Sequence, residues 1–221
     1  KKSNMPKYDA VFFDLDGTLV DTAPDLAYAL NQVLAEHQAP SLSLETIRPV
    51  ASDGSPGLIK LAFGLTPDAP EYQAIQARFI ELYRLHITRE SKLFNGMDNV
   101  LQTIEKTGSK WGVITNKPAF LTAPLMQALS LSERASCIVS GDTTAHSKPH
   151  PDPMLFACNV AKVKPENCLY IGDAQRDIEA GNVVNMDTLI AHYGYLKSTD
   201  RPESWQAKGT VYKPEEILNW I

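Results

Sequence analysis

Apolar positions along this chain fall into two kinds of run. Tyr8-Asp9-Ala10-Val11-Phe12-Phe13 is short and nearly continuous, then stops at Asp14-Leu15-Asp16-Gly17-Thr18. That pattern predicts a buried strand ending in a polar, glycine-containing turn. From about Thr22 to Thr88 the spacing becomes helical. Thr22 and Asp25 have capping-box spacing with Pro24 in the first turn. Leu26, Ala29, Leu30, Val33 and Leu34 then mark one face of a helix. Ser55-Pro56 opens another with Leu58, Leu61 and Ala62, and Tyr72, Ile75, Phe79, Leu82 and His86 carry the period through a long one. No strand pattern interrupts this stretch. An all-helical insertion is predicted, with its ends near 18–22 and 89–96.

After it, strands and helices alternate. Met97, Val100, Leu101 and Ile104 share a helix that Gly108 ends, and Trp111–Thr115 reads as a strand. Leu121, Leu125, Met126 and Leu129 face one way, Cys137–Val139 is a strand, and a polar loop runs on to Pro153. A helix over Met154–Lys162 leads to a strand, Cys168–Ile171, stopped by Gly172-Asp173. A helix through Ile178, a strand at Thr188–Ala191 and a short terminal helix over Pro214–Ile221 follow. Such alternation predicts an α/β protein, a parallel sheet with helices on both faces.

Composition narrows the function classes. The 221 residues are 43% hydrophobic and 21% charged, ordinary for a globular protein, and suffice for a core domain plus a smaller inserted one. The basic start Lys1-Lys2-Ser3-Asn4-Met5-Pro6 is followed by no apolar run of signal or membrane-spanning length, so a cytoplasmic protein with no membrane partner is expected. Cys137, Cys158 and Cys168 form no CxxC pair and read as small core residues. A formal net charge of -5 without a basic run argues against nucleic acid as a partner. It also argues for a bound cation wherever an anionic substrate is received. Monomer and homodimer both remain open.

Four polar segments each follow a predicted strand: Asp14–Thr18, Thr115-Asn116-Lys117, Ser147-Lys148-Pro149, and Gly172-Asp173 with Asp177. A parallel sheet puts all its strand C-termini on one edge, so these segments should meet in one crevice. Asp14 and Asp16, two apart, point the same way on an extended segment. Mutual repulsion raises the pKa of one, which suits one carboxylate to attack and the other to donate a proton. Asp173 and Asp177 add two more carboxylates. Oxygen ligands without sulphur or imidazole point to Mg²⁺ as the cofactor. A proline-rich loop accounts for His146 and His150, and there is no Walker A pattern.

With these segments in this order, the chain resembles the haloacid dehalogenase superfamily of phosphohydrolases over essentially its whole length. The resemblance implies a Rossmann-like core of strand order 5-4-1-2-3, over 1–19 and 92–221, and an inserted helical C1 cap over 20–91. It implies Asp14 as nucleophile, forming an aspartyl phosphate, and Asp16 as the acid and base. Asp14, the backbone carbonyl of Asp16, and Asp173 would hold Mg²⁺, with Asp177 behind them or reaching through water. Thr115 and the Asn116 amide would bind phosphoryl oxygens, and Lys148 would offset charge. Having Asp16 argues against dehalogenation, because a halide leaving group needs no proton.

Substrate choice in this family usually sits in the cap. The glycine-rich loop Ala51–Gly57, with Ser52 and Gly54 as candidate substrate ligands, leads into a helix N-terminus suited to an anion. The chain is similar to the phosphoglycolate phosphatase subgroup. A closer resemblance to N-acetylmuramic acid 6-phosphate phosphatases is carried by Ser91–Met97, Trp111–Pro118, Arg176–Gly181 and Tyr193-Gly194-Tyr195. A small phosphorylated metabolite is therefore the expected partner. Both substrates carry a carboxylate, for which Arg48, Lys60 and Arg89 are candidate cationic contacts. A phosphomutase shares every core motif, and a phospho-accepting signalling domain also uses an aspartate at a strand end. The large cap and Asp16 argue against the second.

Overall fold

Residues Ala10–Phe13 form a fully buried strand, β1, at the middle of the sheet in this computed structural model, which describes residues 5–221. The first four residues, with most of the basic start, lie outside the described residues. Next come β2 (Val20–Asp21), α1 (Ala23–Glu36), α2 (Leu44–Ile47), a 3₁₀ turn at Arg48–Asp53, α3 (Gly54–Phe63) and α4 (Tyr72–Leu85). Then follow β3 (Lys92–Leu93), α5 (Met97–Lys106), β4 (Lys110–Ile114), α6 (Ala119–Ala128), β5 (Ile138–Val139) and α7 (Asp152–Ala161). The last elements are β6 (Cys168–Gly172), α8 (Gln175–Val183), β7 (Asp187–Ala191), β8 (Gly209–Val211) and a 3₁₀ turn at Pro214–Asn219.

Six strands make one parallel sheet in the order β5-β4-β1-β6-β7-β8. The expected five-strand order is present, extended by β8 beyond β7. Three residues, Gly209-Thr210-Val211, are too few for an apolar pattern to announce a strand. Alternation along β1 serves both faces of the sheet. Val11 and Phe13 join the larger core with α5 and α6, while Ala10 and Phe12 join a second core with α7. The three cysteines are buried and unpaired in that second core, as small core residues should be. Among the described residues, no helix is long and apolar enough to cross a membrane.

The stretch between β2 and β3 is helical, and its predicted faces are buried at Leu26, Ala29, Leu30, Val33 and Leu34 and at Tyr72, Ile75, Phe79 and Leu82. In α3 the buried pair is Leu58 and Ile59, and Leu61 turns outward. Val20 and Asp21 pair antiparallel with Leu93 and Lys92, so the chain leaves and re-enters the sheet domain through a two-stranded stalk. Strands of two residues carry no readable period.

The predicted capping box does not form. Thr22 makes no side-chain cap. Its hydroxyl donates to Asp16 at 2.5 Å. The N-terminal amides of Thr22 and Ala23 instead donate to the Tyr195 hydroxyl, each at 2.9 Å, so α1 is capped by a side chain distant in sequence. Asp25, fully buried, accepts from the amides of Glu90 and Ser91 and from the Ser91 hydroxyl at 2.7–3.0 Å. One carboxylate thus ties the start of the helical stretch to its end. Asp25→Ala strands these donors and should lower stability by about 3 kcal/mol, the scale for losing bonds to a buried charge. Urea denaturation should show a lower midpoint, and an unchanged midpoint would mean that water replaces the carboxylate at no cost.

Candidate active site

The sheet brings all four predicted segments to one rim. Asp14 directly follows β1, Thr115 follows β4, Lys148 lies on the loop after β5, and Asp173 follows β6 with Asp177 in the first turn of α8. Oxygens of Asp14, Asp173 and Asp177, all three buried, lie within 4.8 Å of one another. Gly17 permits this crowding. Its φ is +83°, and a Cβ there would stand 2.3 Å from Asp173 Oδ2.

Lys148 is the cation inside this cluster. Its ammonium donates to Asp14 Oδ1 at 3.0 Å and Asp177 Oδ1 at 2.6 Å, with the Tyr170 hydroxyl and the Ile114 carbonyl at 2.7 and 2.9 Å. Asn116 fixes the Lys148 backbone from both sides, accepting from its N–H at 2.9 Å and donating to its carbonyl at 3.0 Å. The bond between Lys148 and Pro149 is cis. Burial pushes Asp14 well above the ordinary carboxylate range, and Asp177 adds to this while Lys148 opposes it. Burial also raises Asp173, again with Asp177, against the Tyr195 N–H and the Ser52 hydroxyl. Burial pulls Lys148 down, but Asp14 and Asp177 outweigh it and hold the ammonium charged.

Asp16 belongs to a second network. Its Oδ1 accepts from Lys117 Nζ at 2.9 Å and from Thr22. Lys117 also donates to the Tyr83 hydroxyl at 2.6 Å, and Tyr83 lies on α4. Burial raises Tyr83 to about 12, with Lys117 opposing the shift. Neither Lys117 nor Tyr83 had a predicted role. Lys117 stands inside a predicted segment, whereas Tyr83 falls beside the apolar stripe of its helix and looks like packing.

Thr115 and Lys117 line a cavity of about 390 Å³ with Asp14, Asp16 and Asn116. The helical stretch closes it through Ser52, Gly54 and their neighbours, with Phe79 and Ile80 of α4. Ser52 Oγ donates to Asp173 Oδ2 at 2.7 Å and to the Asp16 carbonyl at 3.3 Å, so those two oxygens converge on one point. Arg176 donates to the Ser52 carbonyl, and Asp53 is gripped by Arg176 at 3.6 Å and Lys197 at 2.5 Å. Gly54, at φ +66°, faces the cavity from the start of α3.

Arg48, Lys60 and Arg89 do not line the cavity. Arg48 pairs with Asp21 at 2.8 Å and lies over the Tyr195 ring. Arg89 lies over Tyr28, and Lys60 points to solvent. The cations that do line it, Lys117 and Arg176, come from the sheet domain.

The donor set fits a hard divalent cation. Three carboxylates face two cations, Lys148 and Arg176, which leaves uncompensated charge in a buried site. Every candidate ligand is oxygen, the set that Mg²⁺ and Ca²⁺ take.

A model described as haloacid dehalogenase-like hydrolase matches residues 11–191. The N-acetylmuramic acid 6-phosphate phosphatase of Pseudomonas putida is 39% identical over 212 residues, 96% of this chain and 95% of its own length. A phosphoglycolate phosphatase of Xanthomonas campestris pv. campestris is 38% identical over 208 residues, 94% of each chain. A crystal structure described as a predicted phosphoglycolate phosphatase from Haemophilus somnus 129PT superposes with a TM-score of 0.86 at 26% identity, over 98% of this chain and 99% of that one.

Crowded carboxylates should cost stability when no cation is bound. A folded-state pKa raised above the unfolded value favours folding only at low pH, and that gain is lost as pH rises through the folded value. At pH 7.5, then, Asp14 and Asp173 oppose folding of the chelated protein. Asp14→Asn removes one charge and should raise Tm there by about 2–4 °C, the shift that about 1 kcal/mol gives at this size. Differential scanning calorimetry in chelator reads it, and a lowered Tm would show that the Lys148 ion pair outweighs the repulsion.

Proposed function

This chain belongs to the haloacid dehalogenase-like hydrolases, and from that premise we propose that it is a Mg²⁺-dependent phosphatase. Its substrate is a small, carboxylate-bearing phosphate monoester, and the reaction passes through an aspartyl phosphate on Asp14. The observation that carries this reading is the buried Asp14–Lys148–Asp177–Asp173 cluster, with Asp14 opening into a cavity shared with Asp16. Segments 1–19 and 92–221 are the catalytic core in this reading, and 20–91 is the cap.

Asp14, whose Oδ1 is held by Lys148, attacks phosphorus with its other oxygen. The ester bond to phosphorus breaks, and Asp16 gives its proton to the departing alkoxide. Lys117 and Thr22 occupy Asp16 Oδ1, which turns Oδ2 toward the leaving group. Asp16 then takes a proton from the water that attacks the aspartyl phosphate, releasing inorganic phosphate and restoring Asp14. The Thr115 hydroxyl and the Asn116 amide hold the phosphoryl oxygens and Lys148 offsets charge between Asp14 and the phosphate, where positioning and charge supply most of the rate. Asp14, the Asp16 carbonyl and Asp173 would hold Mg²⁺, with Asp177 supporting them. Bound there, the ion supplies positive charge that lets an anionic nucleophile meet an anionic phosphate.

The cavity supports a substrate larger than phosphoglycolate. A two-carbon acid would leave most of about 390 Å³ to water, and the walls include Leu26, Pro56, Phe79, Ile80 and Leu121. An acylated sugar acid phosphate, the substrate class in the name of the Pseudomonas putida relative, offers apolar surface to those walls. Its carboxylate would meet Lys117 or Arg176.

Inorganic phosphate release should be highest in kcat/KM for N-acetylmuramic acid 6-phosphate, lower for phosphoglycolate and lowest for glucose 6-phosphate. Chelation should stop it, Mg²⁺ should restore it, and Asp14→Asn should abolish it with an unchanged circular dichroism spectrum. Equal turnover of glucose 6-phosphate would overturn the carboxylate requirement, and full activity in Asp14→Asn the whole mechanism.

Lys117→Ala should slow every substrate, because Asp16 loses a partner. It should also lower the preference for N-acetylmuramic acid 6-phosphate over glucose 6-phosphate by about 10-fold, the worth of one hydrogen bond to a charge. A general slowing with that preference intact would move the carboxylate contact to Arg176.

A further inference from the structure

His146, His150 and Asp152 take no part in the chemistry above, yet they converge. All three lie on or beside the loop between β5 and α7 that carries Lys148, on the surface rather than in the cavity. One ligand atom from each falls within 4.8 Å of the others. The two imidazole rings stack with centroids 4.2 Å apart, which sets both Nδ1 atoms against one carboxylate. His146 Nδ1 is 2.9 Å from Asp152 Oδ2, and His150 Nδ1 is 3.3 Å from Asp152 Oδ1.

One contact does not fit a simple hydrogen-bonded cap for α7. The backbone N–H of Asp152 donates to His150 Nδ1 at 3.2 Å, which makes that nitrogen an acceptor. The same nitrogen then faces Asp152 Oδ1, another acceptor, across 3.3 Å. His150 Nδ1 thus sits between a backbone donor and one carboxylate oxygen, while His146 Nδ1 faces the other oxygen of the same carboxylate.

We propose that His146, His150 and Asp152 form a second metal site, for a late first-row divalent cation such as Zn²⁺ or Ni²⁺. Two imidazoles and a carboxylate select such an ion, whereas the all-oxygen cluster around Asp14 selects Mg²⁺. Three protein ligands leave a position for water, and the histidines, 62% and 43% exposed in their side chains, give an ion direct entry. The ligands bracket Lys148-Pro149, so an ion here would fasten the outer side of the loop whose inner side supplies the buried ammonium.

The test uses the full chain, stripped by chelation and held in saturating Mg²⁺ so that the buried carboxylates are occupied. Zn²⁺ is titrated calorimetrically into the wild type, His146→Ala, His150→Ala and Asp173→Asn. One Zn²⁺ should bind per chain in the wild type and in Asp173→Asn. Each histidine variant should weaken it by at least the about 10–100-fold that losing even an outer partner of a metal ligand costs. Both should keep wild-type kcat/KM in Mg²⁺ alone. Absence of Zn²⁺ binding, binding that ignores both histidine substitutions, or binding lost only in Asp173→Asn would each overturn the proposal.

Discussion

Negative charge concentrated at the rim of a parallel sheet is the constraint that the rest of this structure answers. Asp14, Asp173 and Asp177 are all buried within a few ångströms of each other. A buried carboxylate without a partner costs several kcal/mol, so each must be met by a donor or a cation. Lys148 reaches two of them from a loop whose backbone Asn116 clamps on both sides. Asp173 takes the Tyr195 N–H and the Ser52 hydroxyl. The crowding also dictates small residues nearby: a Cβ on Gly194 would stand 2.2 Å from the Gly17 carbonyl and 2.5 Å from Asp173 Cβ.

The same demand joins the helical stretch to the sheet domain. Tyr195 offers its N–H to Asp173 and its hydroxyl to the amides that open α1, while that hydroxyl donates to Asp21 at 2.6 Å. Ser52 and Tyr83 come from the helical side and end on Asp173 and Lys117. The helices that wall the cavity therefore also satisfy its polar groups. If the helices moved away, Ser52 and Tyr83 would withdraw their hydroxyls, and water or substrate oxygens would have to replace them.

Legibility of this arrangement in the sequence followed physical scale. Asp14, Asp173 and Lys148 could be found because each follows a strand, and parallel strands end on one edge whatever their sequence separation. Helical faces such as Leu26–Leu34 were readable because one side is buried over several turns. Two- and three-residue strands, β2, β3 and β8, offer no period to read. Thr22 and Asp25 match a capping box by spacing, but nearby Asp16 and the amides of Glu90 and Ser91 compete for them and win. Tyr83 lies on a buried face and gave no sign that its hydroxyl reaches Lys117. Arg48 and Arg89 looked available as substrate contacts, yet each already has a local carboxylate and an aromatic ring.

The cations that line the cavity, Lys117 and Arg176, come from the sheet domain and not from the helical stretch. Lys117 sits two residues from Thr115 and bonds Asp16, so a cation that lines the cavity also orients the proposed acid. Lys117, where Asp16 and Tyr83 outweigh burial and raise the pKa, remains charged throughout and has three donors to share. The helices supply the apolar walls Leu26, Phe79 and Ile80, while the cations at the cavity wall belong to the rim itself.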